Sequence, residues 1–223
     1  MPDRTFLRKT LLSESAVRYG VFENKKNHKK LVYYPCAKNA NSSAKLFFAK
    51  HLGIENKFYF SEDKIPRYKQ TKNETEKKNL INFLPNYSPF TVVDVDFKCC
   101  IVRDPIERFV SAYKNRILFH KDKQFKDHTI DMILEKIESG LYENRHFLPQ
   151  TYFLGDNLDY YTFYSDIKNI SYFEKKVNEF FKKKIKFPKI QTGGHQFGVK
   201  LNNQQIDKIK KIYSNDFKLI KEK

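Results

Sequence analysis

The apolar positions of this chain fall into short blocks whose spacing switches between strand-like and helix-like. Leu31-Val32-Tyr33-Tyr34 is an unbroken apolar run closed by Pro35, which predicts a short buried strand. Ala44 to Leu52 reads as a helix, with Ser42 or Ser43 as its N-cap. A second strand is expected near Thr91 to Asp96 and a third over Lys98-Cys99-Cys100-Ile101-Val102. The third ends at Arg103-Asp104-Pro105, a helix start with Asp as N-cap, Pro at the first helical position and Glu107 at the third. Ile106, Phe109, Val110, Tyr113 and Ile117 then share one helical face.

Thr129 to Ser139 predicts another helix, with Ile130, Ile133, Leu134 and Ile137 on its apolar face and Gly140 closing it. Leu158 to Tyr164 reads as a strand, Ile170 to Phe181 as a helix, and Asn203 to Ile220 as one final amphipathic helix. Strands alternating with helices predict an α/β fold: a three-layer domain around a central, mainly parallel sheet of four or five strands. Its ligand would lie at the carboxyl edge of that sheet. No internal repeat divides the chain, so residues 1–223 are expected to form a single domain, with the polar stretch 61–79 as a mobile insertion.

Composition narrows this picture. The chain has 223 residues, is 40% hydrophobic, and carries 21 Phe and 14 Tyr but no Trp, too apolar for a disordered chain. No run approaches the length of a membrane span, and the N-terminal residues lack a secretory apolar run, so a cytoplasmic protein is expected. Cys36, Cys99 and Cys100 are odd in number, two are adjacent, and none has metal-ligand spacing. They read as reduced thiols, and no metal site is expected. The net charge of +17 favours nucleic acid, an acidic membrane surface or a phosphorylated ligand. Lys, Asn, Ile, Phe and Tyr all have A/T-rich codons, however, so genome composition accounts for part of that excess.

Two segments carry candidate chemistry. The first, Tyr34 to Lys45, is a P-loop-like strand–loop–helix. Lys38, the backbone of Asn39, Ala40 and Asn41, and the hydroxyls of Ser42 and Ser43 could cradle a phosphate at a helix N-terminus. It lacks the Walker A glycines, and an ordinary connecting loop with a Ser cap is the bland alternative. The second places Arg103 at the end of a strand and Ser111 two turns into the next helix, where a guanidinium and a hydroxyl can hold one phosphate. Arg108 reads as a surface ion pair with Glu107 or Asp104.

Arg103-Asp104-Pro105-Ile106-Glu107-Arg108-Phe109-Val110-Ser111-Ala112-Tyr113 resembles, without a mismatch, the 3′-phosphate motif R-D-P-x-x-R-x-x-S-x-Y of sulfotransferases that use 3′-phosphoadenosine 5′-phosphosulfate (PAPS). Lys38 to Ser43 resembles their 5′-phosphosulfate loop, with Ala or Ser where Gly or Thr is usual. Asn144-Arg145-His146-Phe147-Leu148-Pro149-Gln150 and Tyr213-Ser214-Asn215-Asp216-Phe217 resemble stretches of the carbohydrate branch of that family, with Phe147 in place of Trp. The resemblance spans residues 31–219.

It implies sulfuryl transfer from PAPS to a hydroxyl of a glycan, with no metal and no specific nucleic acid. Lys38 would sit at the leaving oxygen, Asn39 to Ser43 would cradle the 5′ end, and Arg103 with Ser111 would hold the 3′-phosphate. His146 is the candidate general base, with a structural histidine as its rival and Asp94, Asp96 and His195 as substitutes. His51 reads as a capping cation at a helix end. The contrasting function is a basic polyanion- or RNA-binding module without catalysis, built from Lys182, Lys183, Lys184, Lys186 and Lys189 with Phe180, Phe181 and Phe187. The basic surface could also rest against an acidic membrane.

Overall fold

The computed structural model describes residues 20–24, 27–53, 58–60, 66–68, 82–83, 95–142, 144–190 and 194–221. Their strands are β1 (Gly20–Glu23), β2 (Lys30–Tyr34), β3 (Phe58–Phe60), β4 (Pro66–Tyr68), β5 (Asn82–Phe83), β6 (Phe97–Val102) and β7 (Phe163–Asp166). The helices are α1 (Asn41–Leu52), α2 (Pro105–Tyr113), α3 (Ile130–Glu138), α4 (Gln150–Leu154), α5 (Ile170–Phe181), α6 (Asn203–Ile212) and α7 (Ser214–Lys221). A five-stranded sheet runs in the order β5-β1-β2-β6-β7, and β3 pairs with β4 in a separate ribbon.

The chain returns through helical connections between β2 and β6 and between β6 and β7, and both pairs are parallel as such crossovers require. The pairs β1–β2 and β1–β5 are antiparallel. The sheet therefore has the expected number of strands, with a parallel unit of three and an antiparallel flank. Side chains alternate along it. Leu31, Tyr33, Cys99, Ile101 and Phe163 face α1 and α5, and pack on Phe47, Phe48, Phe173 and Val177. Val32, Tyr34, Cys100 and Val102 face the opposite layer, where Phe109, Leu134 and Ile209 close the core. These are the three layers of an α/β domain.

Several local features depart from the sequence pattern. Helix α1 begins at Asn41, and its N-cap is Ala40 with φ 55° rather than a serine. The oxygen of Ser43 is instead the acceptor for the Ile190 N–H at 3.3 Å. Leu158–Tyr160 forms a 3₁₀ turn, started by Asn157 Oδ1 accepting from the Asp159 N–H at 2.7 Å. The strand begins only at Phe163. The final helix is broken at Tyr213, which lets Tyr213 and Asp216 face the same segment. Of the strand expected over 91–96, residues 91–94 lie outside the described residues, and Val95 and Asp96 are irregular. The insertion over 61–79 lies outside them except for β4.

All three thiols are free and buried, and desolvation pushes Cys36 up to about 12. Among the described residues no helix is long and apolar enough to cross a membrane.

The broken helix fixes the segment before α4. Tyr213 donates its hydroxyl to the Phe147 carbonyl at 2.6 Å. Asp216, fully buried, accepts the N–H groups of Gln150 and Thr151 at 2.7 and 2.9 Å, capping α4 from another helix. Asp216→Ala strands both donors and should cost about 1–3 kcal/mol for each. Tyr213→Phe should cost about 1 kcal/mol. Urea denaturation of the two variants measures both losses.

Candidate active site

The carboxyl ends of β2 and β6 lie side by side, so the loops that leave them meet above the sheet. The first loop turns sharply. Lys38 and Ala40 both have positive φ, 71° and 55°, an uncommon backbone for residues with a Cβ. Protein donors hold the loop's carbonyls in this shape. Asn39 N–H reaches Cys36 O at 3.2 Å and Ala44 N–H reaches Ala40 O at 2.9 Å. Arg108 Nε reaches Ala37 O at 2.9 Å and Arg103 Nη1 reaches Lys38 O at 3.1 Å.

The turn leaves the first-turn N–H groups of Asn41, Ser42 and Ser43 without an acceptor among the described residues. These donors and the positive end of α1 form an anion-binding concavity. Asn39 does not contribute to it. Its side chain is fully buried, and its Nδ2 donates to Ile101 O at 2.8 Å and to Gln150 Oε1 at 2.6 Å. Asn39 is a latch under the loop, and its own backbone N–H is used within the turn.

Arg108 is not the expected surface ion pair. It is 2% exposed, and its guanidinium bridges Ala37 O and, at 2.6 Å, Leu148 O. A planar fork can satisfy two carbonyls from different segments at once, which a lysine could not do as well. Arg103 is shared as well: Nη1 braces Lys38, and Nε lies 3.7 Å from Glu107 Oε2. Ser111, two turns into α2, takes no protein hydrogen bond through its hydroxyl among the described residues.

Gln150 was not singled out by the sequence pattern, yet it joins the two loops. Fully buried, it accepts from Arg103 N–H at 3.0 Å and donates to Arg103 O at 2.7 Å while holding Asn39. A glutamine at a helix start carries no motif signal by itself. Its place beside Asn39, 111 positions away in the chain, comes from the tertiary fold.

The electrostatics follow from this packing. Lys38 is lowered to about 7, first by burial and then by Arg103, Arg116 and Arg108. It forms no ion pair with a carboxylate among the described residues. His146 is held well below its usual value by burial and then by the charges of Lys38, Arg116, Arg145 and Arg108. The structure thus brings Lys38 and His146 into one electrostatic neighbourhood that is rich in cations.

Gly194 makes a close approach to the backbone after α2. A Cβ there would lie 2.7 Å from the Lys114 carbonyl oxygen, and its φ of +82° also favours glycine. It packs on the π-helical turn Lys114–Phe119 that continues α2. His195 beside it is exposed.

Other candidates fall elsewhere. Asp96 Oδ2 accepts Lys30 N–H at 2.8 Å, at the amino ends of β2 and β6 and so on the edge opposite the loops. Asp94 lies outside the described residues. His51 is no capping cation: its ring stacks on Phe181 at 4.7 Å, and burial lowers it to about 4. Lys183 Nζ supplies the cation at that helix end, 2.6 Å from the His51 carbonyl. The basic-aromatic stretch builds no stacking surface, since Phe180, Phe181 and Phe187 are all buried in the core. Among the described residues no cluster of His, Cys, Asp and Glu could hold a metal ion.

A model of the sulfotransferase family matches residues 24–221 of this chain. No curated protein and no solved structure matches it. The match runs from just after β1 to the end of α7 and takes in both loops and the segment that joins them. On that span the chain belongs to the sulfotransferase family.

Proposed function

We propose that the protein transfers a sulfuryl group from PAPS to a hydroxyl of a carbohydrate. The observation that carries this reading is the half-buried Lys38, without a carboxylate partner among the described residues, beside the open N-terminus of α1, with Arg103, Arg108 and Arg116 close by. Such a donor set suits a ligand with several anionic groups. Lys38, the N–H groups of Asn41 to Ser43 and the Ser42 hydroxyl would hold the 5′ end, and Arg103 with Ser111 the 3′-phosphate. Bound there, the donor supplies an electrophilic sulfuryl group on a nucleotide leaving group.

The chain's own residues then have separate tasks. Lys38 is a compact cation for charge that develops on the leaving oxygen. His146 is kept neutral by its surroundings, so it can take the acceptor's proton on a ring nitrogen. The carbohydrate acceptor rests on the resemblance of Asn144–Gln150 and Tyr213–Phe217 to the glycan-modifying branch. In support, Tyr213 and Asp216 are the residues that hold Phe147, Gln150 and Thr151 in place.

The test is sulfuryl transfer from labelled PAPS to extracted glycans, together with thermal shifts for adenosine 3′,5′-bisphosphate, ATP and 5′-AMP. Stabilisation by the bisphosphate above the other two is expected; equal shifts, or no labelled glycan, would refute the reading. Lys38→Ala should lower turnover by about two orders of magnitude while leaving the fold intact.

A pH effect follows from the lowered Lys38. An anion held by Lys38 favours its charged form, so binding takes up a proton between pH 7 and the higher pKa of the complex. Affinity for the bisphosphate should therefore rise as pH falls from 9 to 7, by at most about tenfold per unit, and level off below. Titration calorimetry of wild type and Lys38→Ala measures this, and the variant should show no such slope. Ser111→Ala should weaken the bisphosphate by about 1.5–3 kcal/mol and leave 5′-AMP unchanged. Arg103→Ala should weaken both ligands, because Arg103 also braces the Lys38 carbonyl.

A further inference from the structure

His146 is joined to a hydrogen-bonded chain that leads away from the loops. Asn144 Oδ1 lies 2.5 Å from His146 Nδ1 and also accepts the His146 backbone N–H at 3.0 Å. Asn144 Nδ2 donates to Asp122 Oδ2 at 3.4 Å. Asp122 in turn receives both Nε and Nη2 of Arg116 at 2.6 Å, a bidentate fork from the π-helical turn. Arg116, Asp122, Asn144 and His146 thus form one chain that links two separate segments.

We propose that Asn144 is a positioning residue that fixes His146 in the Nδ1–H tautomer, with Asp122 and Arg116 fixing Asn144. An amide oxygen can only accept, so the ring nitrogen facing it must carry the proton. The neutral ring then keeps its lone pair on Nε2. The amide's orientation is set in turn: Asp122 can only accept, so the NH₂ of Asn144 turns toward it and the oxygen toward His146. Asp122 is itself held by the Arg116 fork, so its charge is compensated. A neutral acceptor orients the ring and selects its tautomer without favouring the imidazolium, as a carboxylate in its place would.

This assignment rests on the reading of His146 as the base. In that reaction the O–H bond of the acceptor breaks and its proton moves to Nε2. The acceptor oxygen bonds to sulfur as the bond from sulfur to the nucleotide oxygen breaks. The charged groups acting on the ring are Lys38 from the first loop, Arg108 from α2, Arg116 from the π-helical turn and Arg145 from its own segment. Burial first, and then these four cations, keep the resting ring neutral, and Asn144 decides which nitrogen carries its proton.

The experiment is ¹⁵N NMR of the histidine rings in the full chain at pH 7, with His146 identified by its absence in His146→Asn. Wild type should show the Nδ1–H tautomer, and Asn144→Ala should show a shift toward Nε2–H or exchange between the two. An Nε2–H ring or an imidazolium in wild type, or unchanged signals in Asn144→Ala, would overturn the assignment. Kinetics supply the second readout. Asn144→Ala should lower kcat about 10–100-fold, with KM for the donor within about threefold. Asn144→Asp should move the acidic limb of the pH–rate profile to higher pH, because a carboxylate favours the imidazolium. A lower unfolding midpoint with an unmoved limb would instead make Asn144 structural. The ring signals do not depend on turnover. Wild type with the Nδ1–H tautomer and no sulfuryl transfer would refute the proposed activity alone, and active wild type with the other tautomer would refute the assignment alone.

Discussion

The carboxamide of Gln150 is the point on which the site depends. It lies fully buried between the first loop, through Asn39, and the end of β6, through both backbone groups of Arg103. Its backbone N–H is taken by Asp216 of α7. Buried polar groups are costly unless paired, so this arrangement is stable only when all its segments are in register. The network therefore specifies the relative position of the loops more sharply than apolar packing could.

Arg108 performs a similar task with charge. Its guanidinium holds Ala37 of the first loop and Leu148 ahead of α4 while its ring-facing side lies 5.9 Å from Phe153. The two motifs are thus tied to the His146 segment by a buried cation that does not need to touch substrate. With Arg103, Arg116 and Lys38 nearby, the same cation makes the surroundings of the two loops positively charged. The strain of two non-glycine residues at positive φ is kept because four donors hold the loop's carbonyls.

Many element boundaries were legible in the sequence because local chemistry sets them. The Asp104-Pro105 start of α2 is one such case: Asp104 Oδ1 accepts the Glu107 N–H at 2.9 Å. Helix α5 spans the predicted residues because its apolar positions keep helical spacing on one buried stripe. The start of α1 was not legible, because Ala40 adopts a left-handed backbone that tertiary hydrogen bonds impose. The strand expected from Leu158 fails for a related reason. The Tyr161 hydroxyl reaches Leu154 O at 2.7 Å, which holds that stretch beside α4 and off the sheet.

By itself the sequence determined the α/β alternation, the order of the two loops and the residue types that suit an anionic ligand. Periodicity and capping are properties of neighbouring residues, so they can be read without knowing the fold. The tertiary structure alone decided what each polar side chain does. It made Arg108 a buried brace, Asn39 a latch, His51 a neutral core ring and Gln150 the joint between loops. Each of those roles depends on a partner 40 to 132 positions away in the chain. Only packing of the layers brings such residues within hydrogen-bonding distance.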